Sequence, residues 1–233
     1  MKFFVLKALM FFDFFYKRKI LLGLKKLLGN DVKIIFDVGG HNGESILLFN
    51  KNFNFFKLYT FEPLKTNFLK LKINTKKVAE KIVYLNCALG DKKESRIIKE
   101  MMETSSSTLN DINENSIYYK KKKFFLGVRE NKKMFVEKKV SIDRAINVIK
   151  KFKINKIDLL KIDTEGYELN VIKGFGANID VVKVIIFEHH YDLMISKNYT
   201  YSDINRYLVN KGFHLKYKFK MPFRKTFEYI YSK

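Results

Sequence analysis

Residues 34 to 43, Ile-Ile-Phe-Asp-Val-Gly-Gly-His-Asn-Gly, constrain the fold more than any other stretch of the chain. An apolar run typical of a buried strand leads into a glycine-rich turn, and a helical pattern begins at Glu44. A strand, a turn and a helix in this order bring bare backbone close to a ligand. The stretch therefore predicts the first strand and the ligand-binding turn of an α/β sheet.

The spacing of the glycines indicates the class of ligand. A dinucleotide fingerprint, G-x-G-x-x-G, would need glycine at position 38, where the chain has Val38. Asp37, Gly39 and Gly43 instead form D-x-G-x-x-x-G, the spacing expected of enzymes that use S-adenosylmethionine (SAM). We predict that these three residues and Gly40 bind the cofactor. Any tight strand-to-helix turn also favours glycine, so a purely structural role stays open.

Short apolar runs alternate with helical segments along the rest of the chain. The runs show no polar alternation, as expected of strands that are covered by helices on both faces. We predict strands at residues 34–38, 57–61, 82–85, 157–162, 181–187, 213–219 and 226–231. The fold class is therefore α/β, a doubly wound sheet of about seven strands that is mostly parallel, with an antiparallel carboxyl-terminal edge. Its ligand lies beyond the carboxyl ends of the central strands.

Further cofactor contacts are predicted where the second and third strands end. Glu62, 25 residues after Asp37, can accept hydrogen bonds from both ribose hydroxyls of a nucleoside. A plain capping role for Glu62 is the alternative. After the third strand, Cys87 and Ala88 are small enough to admit a flat adenine, and Asn86 can hydrogen-bond to the edge of the base.

Three carboxylates follow the strand at 157–162, in Asp163-Thr164-Glu165-Gly166-Tyr167-Glu168. Acids at a helix N-terminus complement the helix dipole, so Glu165 and Glu168 have a structural explanation. Asp163 precedes that turn and is the predicted catalytic acid or base.

Glu188, His189 and His190 end the next strand. The imidazole pKa lies nearest to neutrality, so a histidine beside carboxylates is a candidate for proton transfer. We predict that His189 or Asp163 accepts a proton, with Glu188 orienting the imidazole. The alternative is that Glu188 and Asp163 share a divalent cation. The spacing of the four histidines and the single cysteine predicts no resident metal site.

The chain has 233 residues and a formal net charge of +22 at pH 7. Lysine predominates over arginine, the usual base-reading and bidentate phosphate-binding residue, and a coding bias explains the lysine content without any functional pressure. Nucleic acid is therefore not the expected partner, and an anionic surface or substrate is favoured over it. A single cysteine cannot form an internal disulfide and suits the reducing cytoplasm.

Two segments stand apart from the predicted core of the domain at residues 30–233. Residues 1–29 form one or two basic, phenylalanine-rich amphipathic helices, which carry too many charges to span a bilayer. They pack on the sheet or on a second copy, or else they lie on an anionic membrane at its inner face. Residues 101–139 lack clear periodicity and form an irregular insertion, either a substrate lid or a disordered loop.

Four motifs together resemble the FkbM family of SAM-dependent methyltransferases, over about residues 33 to 215. They are Asp37-Val38-Gly39 with Gly43, Phe61-Glu62-Pro63, Lys161-Ile162-Asp163-Thr164-Glu165-Gly166 and Ile186-Phe187-Glu188. The resemblance implies a class I methyltransferase (Rossmann-like) fold, SAM as cofactor and a methyl acceptor that is most often a hydroxyl of a sugar or natural product. The family often has Ala-Asn after Asp-Val-Gly, where this chain has Gly40 and His41.

The acceptor predicted from this resemblance is a small molecule or a glycan, such as a surface glycan or glycolipid sugar. Two alternatives stay open at this stage. One is an RNA methyltransferase that uses the positive charge to hold phosphates. The other is a membrane-surface binding module whose SAM site is vestigial. The sequence makes no prediction of oligomeric state.

Overall fold

The computed structural model describes residues 2–29, 31–129 and 131–233, with side chains at position 12 and from residue 15 onward within these ranges. The strands are β1 (Asp31–Val38), β2 (Asn54–Phe61), β3 (Ile82–Leu85), β4 (Ala88–Leu89), β5 (Glu94–Met101), β6 (Asp111–Ile112), β7 (Phe135–Asp143), β8 (Ile157–Ile162), β9 (Val182–His190), β10 (Ile195–Ser196), β11 (His214–Lys220) and β12 (Thr226–Ser232). The α-helices are α1 (Lys2–Leu28), α2 (Glu44–Asn52), α3 (Lys65–Asn74), α4 (Ile117–Phe125), α5 (Ala145–Phe152), α6 (Glu168–Lys173) and α7 (Tyr201–Asn210). Short 3-10 helices lie at Lys76–Lys81 and Gly176–Val181.

The central sheet has seven strands in the order β11-β12-β9-β8-β1-β2-β3. Strands β3, β2, β1, β8 and β9 run parallel, and β12 is antiparallel to both β9 and β11. β2 and β3 follow β1 on one side of the sheet, whereas β8 and β9 lie on its other side. This switch point between β1 and β8 opens a crevice at the carboxyl ends of the two strands. The predicted doubly wound sheet with an antiparallel edge is confirmed.

Apolar clusters cover both faces of this sheet. Ile35 and Phe36 in β1 are adjacent in sequence, fully buried and members of different clusters, because neighbouring side chains of a strand point to opposite faces. Leu159 and Leu160 in β8 divide in the same way. The continuous apolar runs of the sequence thus reflect strands that have helices on either side.

Helix α1 packs against the sheet through its carboxyl-terminal half. Tyr16, Ile20, Leu24 and Leu28 recur every fourth residue, and all four are buried in the same cluster as Ile35. This half of the helix is therefore part of the domain core, as the first of the two alternatives expects. Within the described residues, no helix combines the length and apolar character needed to cross a bilayer.

The segment at 101–139 is more regular than the sequence predicts. It contains β6, α4 and the beginning of β7, and β7 joins β4 and β5 in a small three-stranded sheet. Ser116 caps α4 by accepting a hydrogen bond from the Tyr119 amide at 3.1 Å, and Tyr119 packs in a satellite cluster with Met101 and Met134. The expected irregular insertion is thus corrected to a packed subdomain on the edge of the main fold.

Candidate active site

A cavity of about 710 Å³ opens at the carboxyl ends of β1, β2, β8 and β9. This volume is in the range of small-molecule sites. Residues from the first strand-to-helix turn, from the ends of β2, β8 and β9, from α1 and from the Ser-rich segment line it together. The lining residues discussed below are Gly39, Gly40, His41, Glu62, Leu64, Ala88, Leu89, Lys161, Asp163, Glu165, Glu188, His190, Asp192 and Glu228.

The turn after β1 needs glycine for conformation and for space. Gly39 has φ of 89°, and a Cβ atom there would lie 1.9 Å from the backbone oxygen of Asp163. The amides of Gly39 and Gly40 both donate to the carbonyl of Phe61 at 3.0 Å, so these amides are engaged within the fold. The two glycines therefore let the turn pack closely against the Asp163 backbone and the Thr60 side chain, and their amides are not free donors. Gly43, with φ of 90°, starts α2 outside the cavity lining.

Glu62 faces this turn, as its predicted role requires. One carboxylate oxygen accepts the His41 amide at 2.9 Å, and the other accepts the Leu64 amide at 2.9 Å. The side chain is buried, and burial raises the pKa of Glu62 to about 7. Both oxygens are thus fixed at the edge of the cavity, and each keeps a lone pair for a ligand donor.

Asp37 lies behind the cavity rather than in its lining. Its side chain is fully buried, accepts a hydrogen bond from the Ser45 hydroxyl at 2.7 Å and lies 3.3 Å from the Lys161 amine. Lys161 also lies 3.3 Å from the Asp163 carboxylate. Burial alone lowers the pKa of Lys161, but Asp163 and Asp37 outweigh it and raise that pKa. Asp37 therefore orients the lysine that faces the cavity.

The three residues that were predicted to contact adenine do not all border the cavity. Ala88 lines the cavity, next to Leu89. Asn86 donates to the backbone oxygens of Glu62 at 2.8 Å and Pro63 at 3.1 Å, and it lies outside the lining. Cys87 also lies outside it and packs against the main core, where burial raises its thiol pKa to about 11. Asn86 and Cys87 thus support the β2 and β3 ends rather than border the cavity.

The structure places His189 away from the cavity, and the reason is strand geometry. Successive side chains of β9 point to opposite faces, so Glu188 and His190 face the cavity while His189 faces away. His189 is 2 % exposed, and its Nδ1 lies 3.8 Å from the buried Glu168 carboxylate. His189 therefore serves the core, and Glu188 contacts His190 instead of His189.

His190 lies at the centre of an acidic group in the cavity wall. Its Nε2 atom lies 3.0 Å from Glu165 Oε2 and 2.9 Å from Glu188 Oε1, and the three atoms all lie within 4.8 Å of one another. Burial opposes protonation of His190, but Glu165, Asp192 and Glu188 together raise its pKa above the ordinary value. The cluster concentrates negative charge at the ends of β8 and β9.

Glu228 adds a further carboxylate that the sequence did not indicate. It lies on β12 directly opposite Glu188 on β9. Burial and the charge of Asp163 raise the pKa of Glu188 to about 7, and burial with the charges of Glu188 and Asp163 raises that of Glu228 to about 8. The two carboxyl groups therefore exchange protons with solvent near neutral pH.

Two other parts of the lining were not among the predicted site residues, although the first belongs to the segment that was considered as a substrate lid. Thr104 to Ser107 lie along the cavity, and the Thr104 hydroxyl is 2.9 Å from Nε2 of His41 in the glycine turn. Tyr16, Ile20 and Leu24 of α1 also contribute to the lining. The serine-rich composition at 105–108 was the available signal for the first, whereas the second depends on how α1 packs.

The chain was compared with known proteins. Residues 37–215 match the methyltransferase FkbM domain. Methyltransferase FkbM from Methylobacillus flagellatus KT is similar in structure, with 15% identity and a TM-score of 0.51 over 87% of this chain and 44% of that one. The present chain thus spans less than half of that protein. No curated protein sequence matches at a significant level.

Two further proteins of known structure share the fold. TrmK of M. capricolum, solved with S-adenosyl-homocysteine, has 12% identity and a TM-score of 0.51 over 92% of this chain and 67% of that one. The METTL16 methyltransferase domain has 8% identity and a TM-score of 0.54 over 93% and 67%. Identities this low show a common class I methyltransferase fold alone. The family is established by the match over 37–215: this chain belongs to the FkbM methyltransferase domain family.

Proposed function

We propose that this chain is a SAM-dependent methyltransferase that methylates a sugar hydroxyl of a glycan, a glycolipid or a related metabolite. The observation that carries the proposal is the placement of Glu62. Its two carboxylate oxygens are held by the His41 and Leu64 amides at the edge of a cavity that the glycine turn leaves open. An acid at the end of the second strand of such a fold suits the two hydroxyls of a ribose.

The described residues fit this cofactor. A Cβ atom on Gly40 would lie 2.2 Å from the Thr60 hydroxyl, so the turn accepts no side chain there. Glu62 would hold the ribose, and the apolar side chains of Leu64 and Leu89 would border the adenine. SAM supplies an in-line methyl transfer from a sulfonium, in which the acceptor oxygen forms the new bond to carbon and sulfur keeps the electron pair of the broken bond.

The residues of this chain would position the acceptor and take its proton. A hydroxyl must lie about 3 Å from the methyl carbon, and such positioning supplies much of the rate. Asp163 projects from the end of β8 into the cavity, and its carboxylate is oriented by Lys161 at 3.3 Å. We assign to Asp163 the role of general base, which receives the hydroxyl proton as the oxygen–carbon bond forms.

The charge of the cavity wall supports a neutral acceptor. Carboxyl groups of Asp163, Glu165, Glu188, Asp192 and Glu228 line this side of the cavity. Carboxylates accept hydrogen bonds from sugar hydroxyls, whereas they repel the phosphates of RNA. A polyhydroxylated acceptor is therefore favoured over RNA at the reacting centre, although RNA methyltransferases share the fold.

Calorimetric titration with SAM tests the cofactor assignment. We expect wild-type protein to bind SAM and Glu62→Gln to bind it about tenfold to a hundredfold more weakly, since hydrogen bonds to a charged group are lost. Glu137→Gln, an exposed strand glutamate, is the matched control and retains wild-type affinity. Equal affinity in wild type and Glu62→Gln would refute the assignment.

Incubation with labelled SAM and separated glycan, lipid and RNA fractions tests the acceptor. We expect the label in glycan or glycolipid. Label in RNA alone would refute the sugar acceptor and leave methyl transfer intact. Binding of SAM without labelling of any fraction would favour a vestigial site.

We further propose that the protein works in the cytoplasm with peripheral contact to an anionic membrane through its amino-terminal helix. Phe12 and Phe15 are 44% and 41% exposed, and Phe12 contacts the exposed ring of Phe223. Lys17 and Arg18 of the same helix are exposed, so apolar and basic groups occur together. Sedimentation with anionic vesicles tests this contact, and equal binding to zwitterionic vesicles would contradict it.

A further inference from the structure

We propose that Glu165, Glu188 and His190 form a binding site for one divalent cation of the six-coordinate Mn²⁺ or Mg²⁺ class, in the wall of the cavity. The site differs from the pair of Asp163 and Glu188 that the sequence suggested as an alternative. It brings together residues from the β8–α6 turn and from β9.

The separations between the candidate ligand atoms suit such a cation. His190 Nε2 lies 3.0 Å from Glu165 Oε2 and 2.9 Å from Glu188 Oε1, and all three atoms lie within 4.8 Å of one another. Ligands about 2.1 Å from an octahedral cation stand about 3.0 Å from their adjacent neighbours. Ligands of a tetrahedral zinc ion stand about 3.3 Å apart. The donor set of two carboxylates and one imidazole favours the Mn²⁺ or Mg²⁺ class, because carboxylate oxygens suit these cations.

Two of these atoms are buried and unsatisfied. Within the described residues, Glu165 Oε2 and His190 Nε2 are shielded from solvent, and the 3.0 Å contact between them lacks the alignment of a hydrogen bond. A buried polar atom without a hydrogen bond costs stability, and it calls for a ligand that is not part of the chain. Both atoms lie within 4.8 Å of the Glu188 carboxylate oxygen.

The other nitrogen of His190 has the partners that a metal-bound histidine needs. Nδ1 lies 3.1 Å from the Thr226 hydroxyl and 3.5 Å from Asp192 Oδ2. Asp192 is itself held, since its other oxygen accepts the Met194 amide at 3.0 Å. A carboxylate at Nδ1 orients the ring and leaves Nε2 to bind the metal.

Charge and backbone placement support the same conclusion. No lysine or arginine side chain of the described residues lies within ion-pair distance of Glu165 or Glu188, and Lys161 contacts Asp37 and Asp163 instead. Glu165 has φ of 50°, and its carbonyl accepts the Thr108 hydroxyl at 2.6 Å, which fixes the turn. The carboxylates are thus held together on rigid elements with little compensating positive charge.

A role for the cation in catalysis rests on the proposed function, although its binding does not. A cation held by Glu165, Glu188 and His190 would lower the pKa of an acceptor hydroxyl beside it. The proton passes to Asp163, and the oxygen keeps the electron pair that forms the bond to the methyl carbon.

Titration of the full-length, chelator-treated protein with Mn²⁺, followed by electron paramagnetic resonance of the free ion, tests the site. We expect saturable binding of one ion, weakened more than about tenfold by His190→Ala. His214→Ala removes an exposed histidine on β11 and serves as the matched control, with affinity unchanged. Glu188→Gln provides a second variant if His190→Ala does not fold, and it is expected to weaken binding equally.

Absence of Mn²⁺ binding to the wild type, or equal affinity in wild type and both site variants, would overturn the proposal. The first result would identify His190 as a protonated partner of the two carboxylates. SAM titration of the same samples keeps the two hypotheses apart. Loss of Mn²⁺ binding with retained SAM affinity concerns the cation site, whereas a wild type that binds Mn²⁺ but not SAM refutes the proposed function alone.

Discussion

Replacement of Glu228 by glutamine tests the electrostatics of the cavity wall. Burial and the charges of Glu188 and Asp163 raise the pKa of Glu228 from 4.5 to about 8. In the unfolded chain the carboxyl ionises at its ordinary pKa, so the folded state binds more protons between these two values. The contribution of Glu228 to the free energy of unfolding therefore falls as the pH rises from about 4.5 to about 8.

The size of the effect follows from the same difference in pKa. At about 1.4 kcal/mol per pH unit, the upper limit is about 4 to 5 kcal/mol. Glu228 is not fully buried, so water relieves part of this cost. We expect Glu228→Gln to be more stable than the wild type by about 2 kcal/mol at pH 9, and to differ by less than about 1 kcal/mol at pH 5.

Urea-induced unfolding at pH 5 and pH 9, followed by circular dichroism with a chelator present, measures this difference. Glu137→Gln makes the same substitution at an exposed strand position and should behave like the wild type at both pH values. A Glu228→Gln variant that is less stable than the wild type at pH 9 would refute the reasoning. So would a stability difference that does not change with pH.

Two further substitutions test the turn after β1 and the corrected histidine. Gly39→Ala places a Cβ atom 1.9 Å from the Asp163 carbonyl and should cost more than about 3 kcal/mol in urea unfolding. Gly212→Ala shares a positive φ without any heavy atom within 4 Å and should cost about 1 kcal/mol, so equal losses would contradict the clash. His189→Ala removes a buried ring, while the Glu168 carboxylate keeps its hydrogen bonds from Tyr199 and Gly166, so the variant should lower stability by about 2 kcal/mol through the cavity it leaves. Its SAM affinity should be unchanged by calorimetry, and a loss of affinity at wild-type stability would place His189 in the site after all.

The central sheet was predictable because its strands carry a local signal. β1 and β8 are buried on both faces and therefore appear as continuous apolar runs. β7 lacks that signal, since most of its side chains are exposed and Lys138 and Lys139 interrupt it. The run from Lys120 to Lys123 likewise hides the helical pattern of α4, whose existence depends on the burial of Tyr119. The small sheet and α4 form through tertiary packing, and no local sequence pattern indicates that packing.

In the site, too, some residues could be predicted from the sequence and others could not. Glu62 and Gly39 could be predicted from short motifs, because each lies directly at the end of a strand that the sequence reveals. To tell which of His189 and His190 enters the site, one must know which face of β9 borders the crevice. The sequence does not show this, because β9 is apolar on both faces. The alternation rule alone pairs Glu188 with His190 rather than with His189, and it could have excluded the predicted arrangement.

Carboxyl groups cluster on one side of the cavity, although the chain as a whole is strongly basic. A net charge of +22 favours approach of anionic carriers, yet carboxyl groups line the reacting side of the cavity. A uniformly anionic acceptor would be attracted by the positive charge of the chain, but its own charges would meet Asp163 and Glu188 in the cavity. A neutral sugar on an anionic carrier avoids this repulsion. The carrier stays at the basic exterior of the protein, while the sugar hydroxyl lies beside the carboxyl groups of the cavity. We therefore favour a glycan linked to an anionic lipid over free RNA as the acceptor.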